Sequence, residues 1–205
     1  MRLGLLGPAD GDVAGLGRAA DFLLNVAKVD RAIYLGNDES LESAVVSWAM
    51  RLVGHDPTDE GAWERAGELA LRGTFAEIDW FVRAQRARLR LRALESLPSG
   101  QSRTIEMIGD RVAILIHDKG LLDEEDIFAA HLLIYGRGDK PLVKRIGTRW
   151  FLTPGPINSA GGGIAVLDDA KDEIELSIYD VEGKQSSTQL LAMSRAANMR
   201  VQGDA

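Results

Sequence analysis

The chain has no cysteine, which excludes disulfides, thiolate metal sites and cysteine nucleophiles and fits a cytosolic setting. It has no surplus of positive charge. The 24 Lys and Arg against 31 Asp and Glu leave a net charge of −7, which disfavours general attraction to nucleic acid or to anionic membranes. No apolar run approaches the roughly 20 residues that a membrane-crossing helix needs. The opening segment Met1–Leu6 is too short for a signal sequence. No Gly-Lys-Ser/Thr and no Gly-x-Gly-x-x-Gly opens a helix, so the usual phosphate cradles are missing, and there is no internal repeat. The expectation is a soluble, cytoplasmic protein that binds no nucleic acid and inserts in no membrane.

What is present is ordinary for a folding chain. At 205 residues, with 45% hydrophobic and 27% charged residues, it can bury a core of its own. Leu3–Leu6 is a short apolar run ending at Gly7-Pro8. Asp12 then precedes an apolar pattern at Val13, Leu16, Ala20, Leu23, Leu24 and Ala27. Ala32–Leu35 repeats the design, broken by Gly36-Asn37-Asp38, and Ser40 is placed to cap a helix carrying Val45, Trp48 and Leu52. Two successive strand–loop–helix units predict parallel strands with right-handed crossovers, whose functional loops gather beyond the carboxyl ends of the strands. Asp10 and Asn37 are then neighbours.

From about Thr58 to Leu97 the pattern is helical, with Thr74 and Glu77 spaced as a capping box, and Pro98-Ser99-Gly100 ends it. From Thr104 onward short apolar runs alternate with turn residues, the signature of strands, with one short helix near Glu124–Ala130 capped by Asp123. The economical assembly is an α/β fold of two packed β-sheets flanked by helices. The predicted organisation is one domain over residues 1–184, with a helical insertion at about 58–97. A polar tail, 185–205, is read as a short helix or disorder.

Several of these segments, in order, match the motifs of a known family. Gly7-Pro8-Ala9-Asp10-Gly11-Asp12 stands where that family has a strand followed by Asp-x-His. Tyr34-Leu35-Gly36-Asn37-Asp38 stands where it has Gly-Asp, and Gly54-His55-Asp56 is a loose counterpart of its Gly-Asn-His. Ile116-His117-Asp118 keeps a histidine after a strand. Gly136-Arg137-Gly138-Asp139-Lys140-Pro141 stands at Gly-His-Thr-His, and Thr153-Pro154-Gly155-Pro156 with Gly161-Gly162-Gly163 echoes the closing segment. The chain thus resembles the small bacterial calcineurin-like metallophosphoesterases of the YfcE type, and equally the metal-poor small subunit of the eukaryotic retromer. The resemblance implies a four-layer sandwich of two sheets between helices, with metals held at the strand ends.

Its ligand positions have changed type. Such a centre holds two cations roughly 3.5–4 Å apart, clamps a phosphate and makes hydroxide from bound water, which needs dense carboxylate and imidazole ligation. Pro8 offers no side-chain donor, Asn37 lacks the bridging charge, and Arg137 puts a permanent cation where an imidazole should bind. The resemblance therefore implies a vestigial pocket of Asp10, Asn37, Asp38, His117, Arg137 and Asp139, with no catalytic and no metal-binding residues. The function read from it is a catalytically inactive domain acting as a protein-interaction or assembly scaffold, without a cofactor. Two alternatives stay open: a divergent metal-dependent phosphoesterase with a reduced site, such as a single manganese, and a phosphate or nucleotide sensor. The expected place of the Arg137 guanidinium is among Asp10, Asp38 or Asp139, in the role of the lost metal.

Three further features have plainer readings. Arg83, Arg86 and Arg90 share one face of a basic helix, and such arginines are usually solvated or turned to a partner. Gly161–Gly163 fit a close backbone approach at a strand start. Trp48, Trp63, Trp80 and Trp150 are expected in the core or at an interface. The helical insertion and the tail are the two candidate partner surfaces.

Overall fold

A computed structural model describes residues 1–54, 56–98, 103–170 and 173–192. Strand β1 (Arg2–Leu6) leads into helix α1 (Val13–Asp21), which widens into a π-helical turn at Phe22–Ala27 and stops at Lys28, with φ 54°. Strand β2 (Arg31–Tyr34) leads into α2 (Ser40–Val53). Then come α3 (Asp59–Arg72) and α4 (Phe75–Arg90), with the Thr74–Glu77 capping box formed at the start of α4.

Short strand β3 (Leu94–Ser96) follows. The second half supplies β4 (Thr104–Ile108), β5 (Arg111–Ile116), α5 (Glu124–Ala129, capped by Asp123), β6 (Leu132–Tyr135), β7 (Leu142–Ile146) and β8 (Arg149–Thr153). It ends with β9 (Ile164–Ala170), β10 (Glu173–Tyr179) and β11 (Gln185–Leu191).

The strands form two mixed sheets, ordered β11-β10-β9-β1-β2-β3 and β4-β5-β6-β8-β7. β1, β2 and β3 are parallel neighbours in one, and β5, β6 and β8 in the other, as the repeated strand–loop–helix units require. Side chains alternate along β1. Leu3 and Leu5 enter a core shared by both sheets, with Ile33, Leu115, Leu132, Ile134, Leu152 and Leu167. Leu6 points the other way, into a second core beneath α1 and α2 with Leu16, Leu23, Tyr34 and Leu41. Helix α5 covers the outer face of the second sheet through Ala130 and Ile127 against Ile114 and Leu133. The result is helices, sheet, sheet and helix, the predicted α/β sandwich.

Two expectations are corrected. Gln185–Leu191 is neither helix nor loose tail. It is strand β11, antiparallel to β10, with the Ser177 and Thr188 hydroxyls 2.9 Å apart across the pair. Its first residues lie on an exposed edge, so no apolar alternation marks it. The rest of the expected tail, 193–205, lies outside the described residues. Leu94–Ser96, read as the end of a helix, instead pairs in parallel with β2, Leu94 opposite Ala32, with the Leu94 side chain buried in the core beside Ala32 and Tyr34. Trp150 is buried and Trp48 half-buried, whereas Trp63 and Trp80 are exposed. Among the described residues no helix is long and apolar enough to cross a membrane.

Candidate functional site

The parallel strands deliver their carboxyl ends to one edge of the sandwich, where the loops after β1, β2, β5, β6 and β8 meet. Within the first sheet the Leu35 N–H donates to the Leu6 carbonyl at 2.8 Å, and within the second the Gly136 N–H donates to the Ile116 carbonyl at 3.1 Å. Between the sheets the approach is backbone on backbone. A Cβ at Gly7 would overlap the Gly155 carbonyl, and one at Gly136 would overlap the Leu35 carbonyl, so both positions require glycine.

His117 closes the same seam. Its Nδ1 lies 2.8 Å from the Leu35 carbonyl oxygen. A carbonyl only accepts, so Nδ1 carries the proton and, in the neutral ring, Nε2 is left with its lone pair. Metal-binding histidines are commonly anchored in this way.

The loop after β1 turns through Asp10, at φ 48°, and both Asp10 and the neighbouring Gly11 are exposed. Pro8 is buried, and its carbonyl accepts from the Ile157 N–H at 2.9 Å. Asn37 is exposed after β2. Asp38 accepts from the Tyr34 hydroxyl at 3.0 Å and from the Ser40 N–H at 2.9 Å. It is Asp38, rather than a Ser40 cap, that satisfies the start of α2, since that helix begins at Ser40 itself. Burial pushes the Asp38 carboxyl upward, but bonds from Ser40 and Tyr34 and the proximity of His117 outweigh it and hold Asp38 below the usual carboxylate range.

Tyr34 organises this corner and has no counterpart in the motif reading. Its side chain is fully buried, and its hydroxyl accepts from the Ala9 N–H at 2.9 Å while donating to Asp38, which ties the β1 loop to the β2 loop. Burial, with the Asp38 charge beside it, pushes the phenol up to about 12. The available signal was a lone polar aromatic inside the apolar run Ala32–Leu35.

Arg137 departs from expectation. Its guanidinium pairs with Asp118 at 2.5 Å, not with Asp10, Asp38 or Asp139, and the side chain is 72% exposed. Asp118 is the adjacent carboxylate because the Arg137 N–H already donates to the His117 carbonyl at 2.7 Å, which sets the β6 loop against the β5 loop. The Gly120 N–H and Arg137 hold Asp118 below the usual carboxylate range. Asp139 is exposed farther along that loop, and His55 lies outside the described residues.

The structure therefore pairs Asp118 with Arg137, sets His117 near enough to Asp38 to favour its charge, and leaves Asp10, Asn37 and Asp139 exposed on the rim. Among the described residues no three His, Asp or Glu side chains converge as a metal site would need. A groove of about 1520 Å³ lies elsewhere, between α1 and α2 beside the end of α4, lined by Gly17, Ser43, Trp48, Arg51 and Arg90.

Known structures share this arrangement of two sheets, flanking helices and a loop-lined edge. A predicted phosphoesterase from Streptococcus pneumoniae superposes over 93% of this chain and 98% of its own, with TM-score 0.51 and 13% identity. The E. coli phosphoesterase Yfce covers 92% and 98%, with TM-score 0.52 and 16% identity. The chain has the calcineurin-like metallophosphoesterase fold. Vacuolar protein sorting 29 from Cryptosporidium parvum shares it, over 93% and 97% of the two chains, with TM-score 0.51 and 15% identity. No protein-family model and no curated protein matches the sequence. At these identities the likeness establishes the metallophosphoesterase fold, and the chemistry has to be argued from the residues at its edge.

Proposed function

We propose that this metallophosphoesterase-like domain has lost two-metal chemistry and serves as a protein-binding or assembly subunit, as the resemblance to the small retromer subunit implies. The observation that carries the reading is the engagement of Asp38. It is the one carboxylate next to the bridging position, and it is bonded to Tyr34 and Ser40 in a loop staple. The bridging position itself is the neutral amide of Asn37, and Pro8 carries no donor. This donor set does not suit a pair of cations. The test is turnover of an aryl phosphodiester with manganese supplied. None is expected, and steady turnover by the purified chain contradicts the proposal.

A second reading, a divergent phosphoesterase with a single divalent metal, draws its support from His117, whose anchored Nδ1 leaves Nε2 as a metal-capable nitrogen close to Asp38. It predicts weak manganese binding that is lost in His117→Ala. The sensor reading, a phosphate or nucleotide held by Arg137, would have the ligand compete with Asp118 for the guanidinium.

A further inference from the structure

The groove between α1 and α2 is lined by hydrogen-bond donors that the fold leaves unused. Trp48 stands half-buried on α2 and packs on α1 at Gly17, where a Cβ would come within 3.3 Å of the indole. Among the described residues the Trp48 N–H has no protein acceptor, although an indole in such a place ordinarily finds one. Arg18 directly follows Gly17, and Arg51 lies one turn past Trp48. Both arginines line the groove, both are exposed, and among the described residues neither pairs with a carboxylate. Arg90, the third cation of the lining, is engaged, since its guanidinium donates to the Leu24 carbonyl and ties α4 to the π-helical turn.

The acids of the lining do not answer these donors. Asp21 accepts the Asn25 side-chain amide at 2.7 Å. Glu39 precedes α2, nine residues before Trp48, which places it about 13 Å back along the helix. Glu182 belongs to the turn between β10 and β11. The rest of the wall includes Ala14, Val26, Leu52 and Ala87. A few convergent polar groups on a mostly apolar wall are the usual make-up of a small-ligand site, and guanidinium and indole N–H donors select an anion. Indole and guanidinium planes also stack on flat rings. At about 1520 Å³ the groove exceeds the roughly 300–1,000 Å³ of such sites, so a small ligand fills only the part around Trp48.

We propose that this groove binds a small aromatic anion, with its charged group held by Arg18, Arg51 and the Trp48 N–H and its ring laid on the apolar wall between α1 and α2. The site lies away from the strand-end loops and does not depend on the function proposed above, so its failure would leave that reading untouched. Because both arginines are exposed, binding weakens as salt rises.

Fluorescence titration of the full chain with the aromatic anion anilinonaphthalene sulfonate tests this. The expected result is saturable binding that is weakened about tenfold or more when Arg18→Gln and Arg51→Gln are combined. Arg72→Gln, an exposed change of charge on α3, should leave it unaltered. Phenyl phosphate should displace the dye, and inorganic phosphate at the same concentration should not, because the ring supplies part of the affinity. Arg18 and Arg51 are exposed and unpaired, so their substitution spares the fold, and circular dichroism confirms this for each variant. No saturable binding, binding indifferent to the paired substitution, an equal loss in Arg72→Gln, or displacement by inorganic phosphate as good as by phenyl phosphate overturns the proposal.

Discussion

The Tyr34 hydroxyl donates to Asp38 across 3.0 Å while accepting the Ala9 N–H, so one buried phenol links the first two strand-end loops. In a working two-metal site this corner would gather ligands around cations. Here a neutral side chain holds it together and takes up part of the acceptor capacity of its carboxylate.

Replacing Tyr34 with Phe should therefore be felt as a buried loss. The Ala9 N–H is left without its partner, which costs about 1–3 kcal/mol and lowers Tm by roughly 2–4 °C for each kcal/mol in a chain of this size. Thermal unfolding checks this. An unchanged Tm would mean that the hydroxyl does not staple the loops.

The same phenol sets an alkaline limit. A folded-state pKa raised from the ordinary 10.0 to about 12 contributes stability that is complete below the unfolded value and is lost as pH climbs through the folded one. Denaturant unfolding should show falling stability over that window. The fall should be shallower in Tyr34→Phe, measured in parallel.

At the acid end the sign reverses. Asp38 and Asp118 are held below their usual range, so their contribution is present above the unfolded pKa near 4 and is lost as pH falls through their folded values. Asp38→Asn should lower stability at neutral pH and flatten the acid limb. A variant whose acid limb matches the wild type would argue that Asp38 is not engaged in the folded state.

Arg137→Ala separates an exposed pair from a structural stand-in for metal. The pair with Asp118 is solvent-screened, and its loss should cost less than about 1 kcal/mol. A larger drop in Tm would restore Arg137 to the structural role that the geometry denies it.

The sheets were legible because β1, β2, β5 and β6 are apolar runs closed by Gly-containing loops, a pattern that follows from burial on both faces. Strand β11 was not. Its order comes from pairing with β10 at an exposed edge, and edge residues need not be apolar. Strand β3 was hidden for another reason, since three residues straight after a helix are too few to show a period of two. At the site, the positions of Asp38, His117 and Arg137 could be read from motif order. Their partners could not, because His117–Leu35 and Arg137–Asp118 are set by how loops from different strands pack, and the local Tyr34–Asp38 bond by how the loop after β2 folds back on its own strand.

The central claim, that this fold has given up its two-metal centre, is tested most directly by elemental analysis of the purified chain after dialysis against chelator and reloading with manganese. The account predicts no tightly held metal in the wild type, with measurable binding gained when Asp10→His and Asn37→Asp restore two ligand types. Two manganese ions retained per wild-type chain, the complement of a binuclear phosphoesterase, would contradict it.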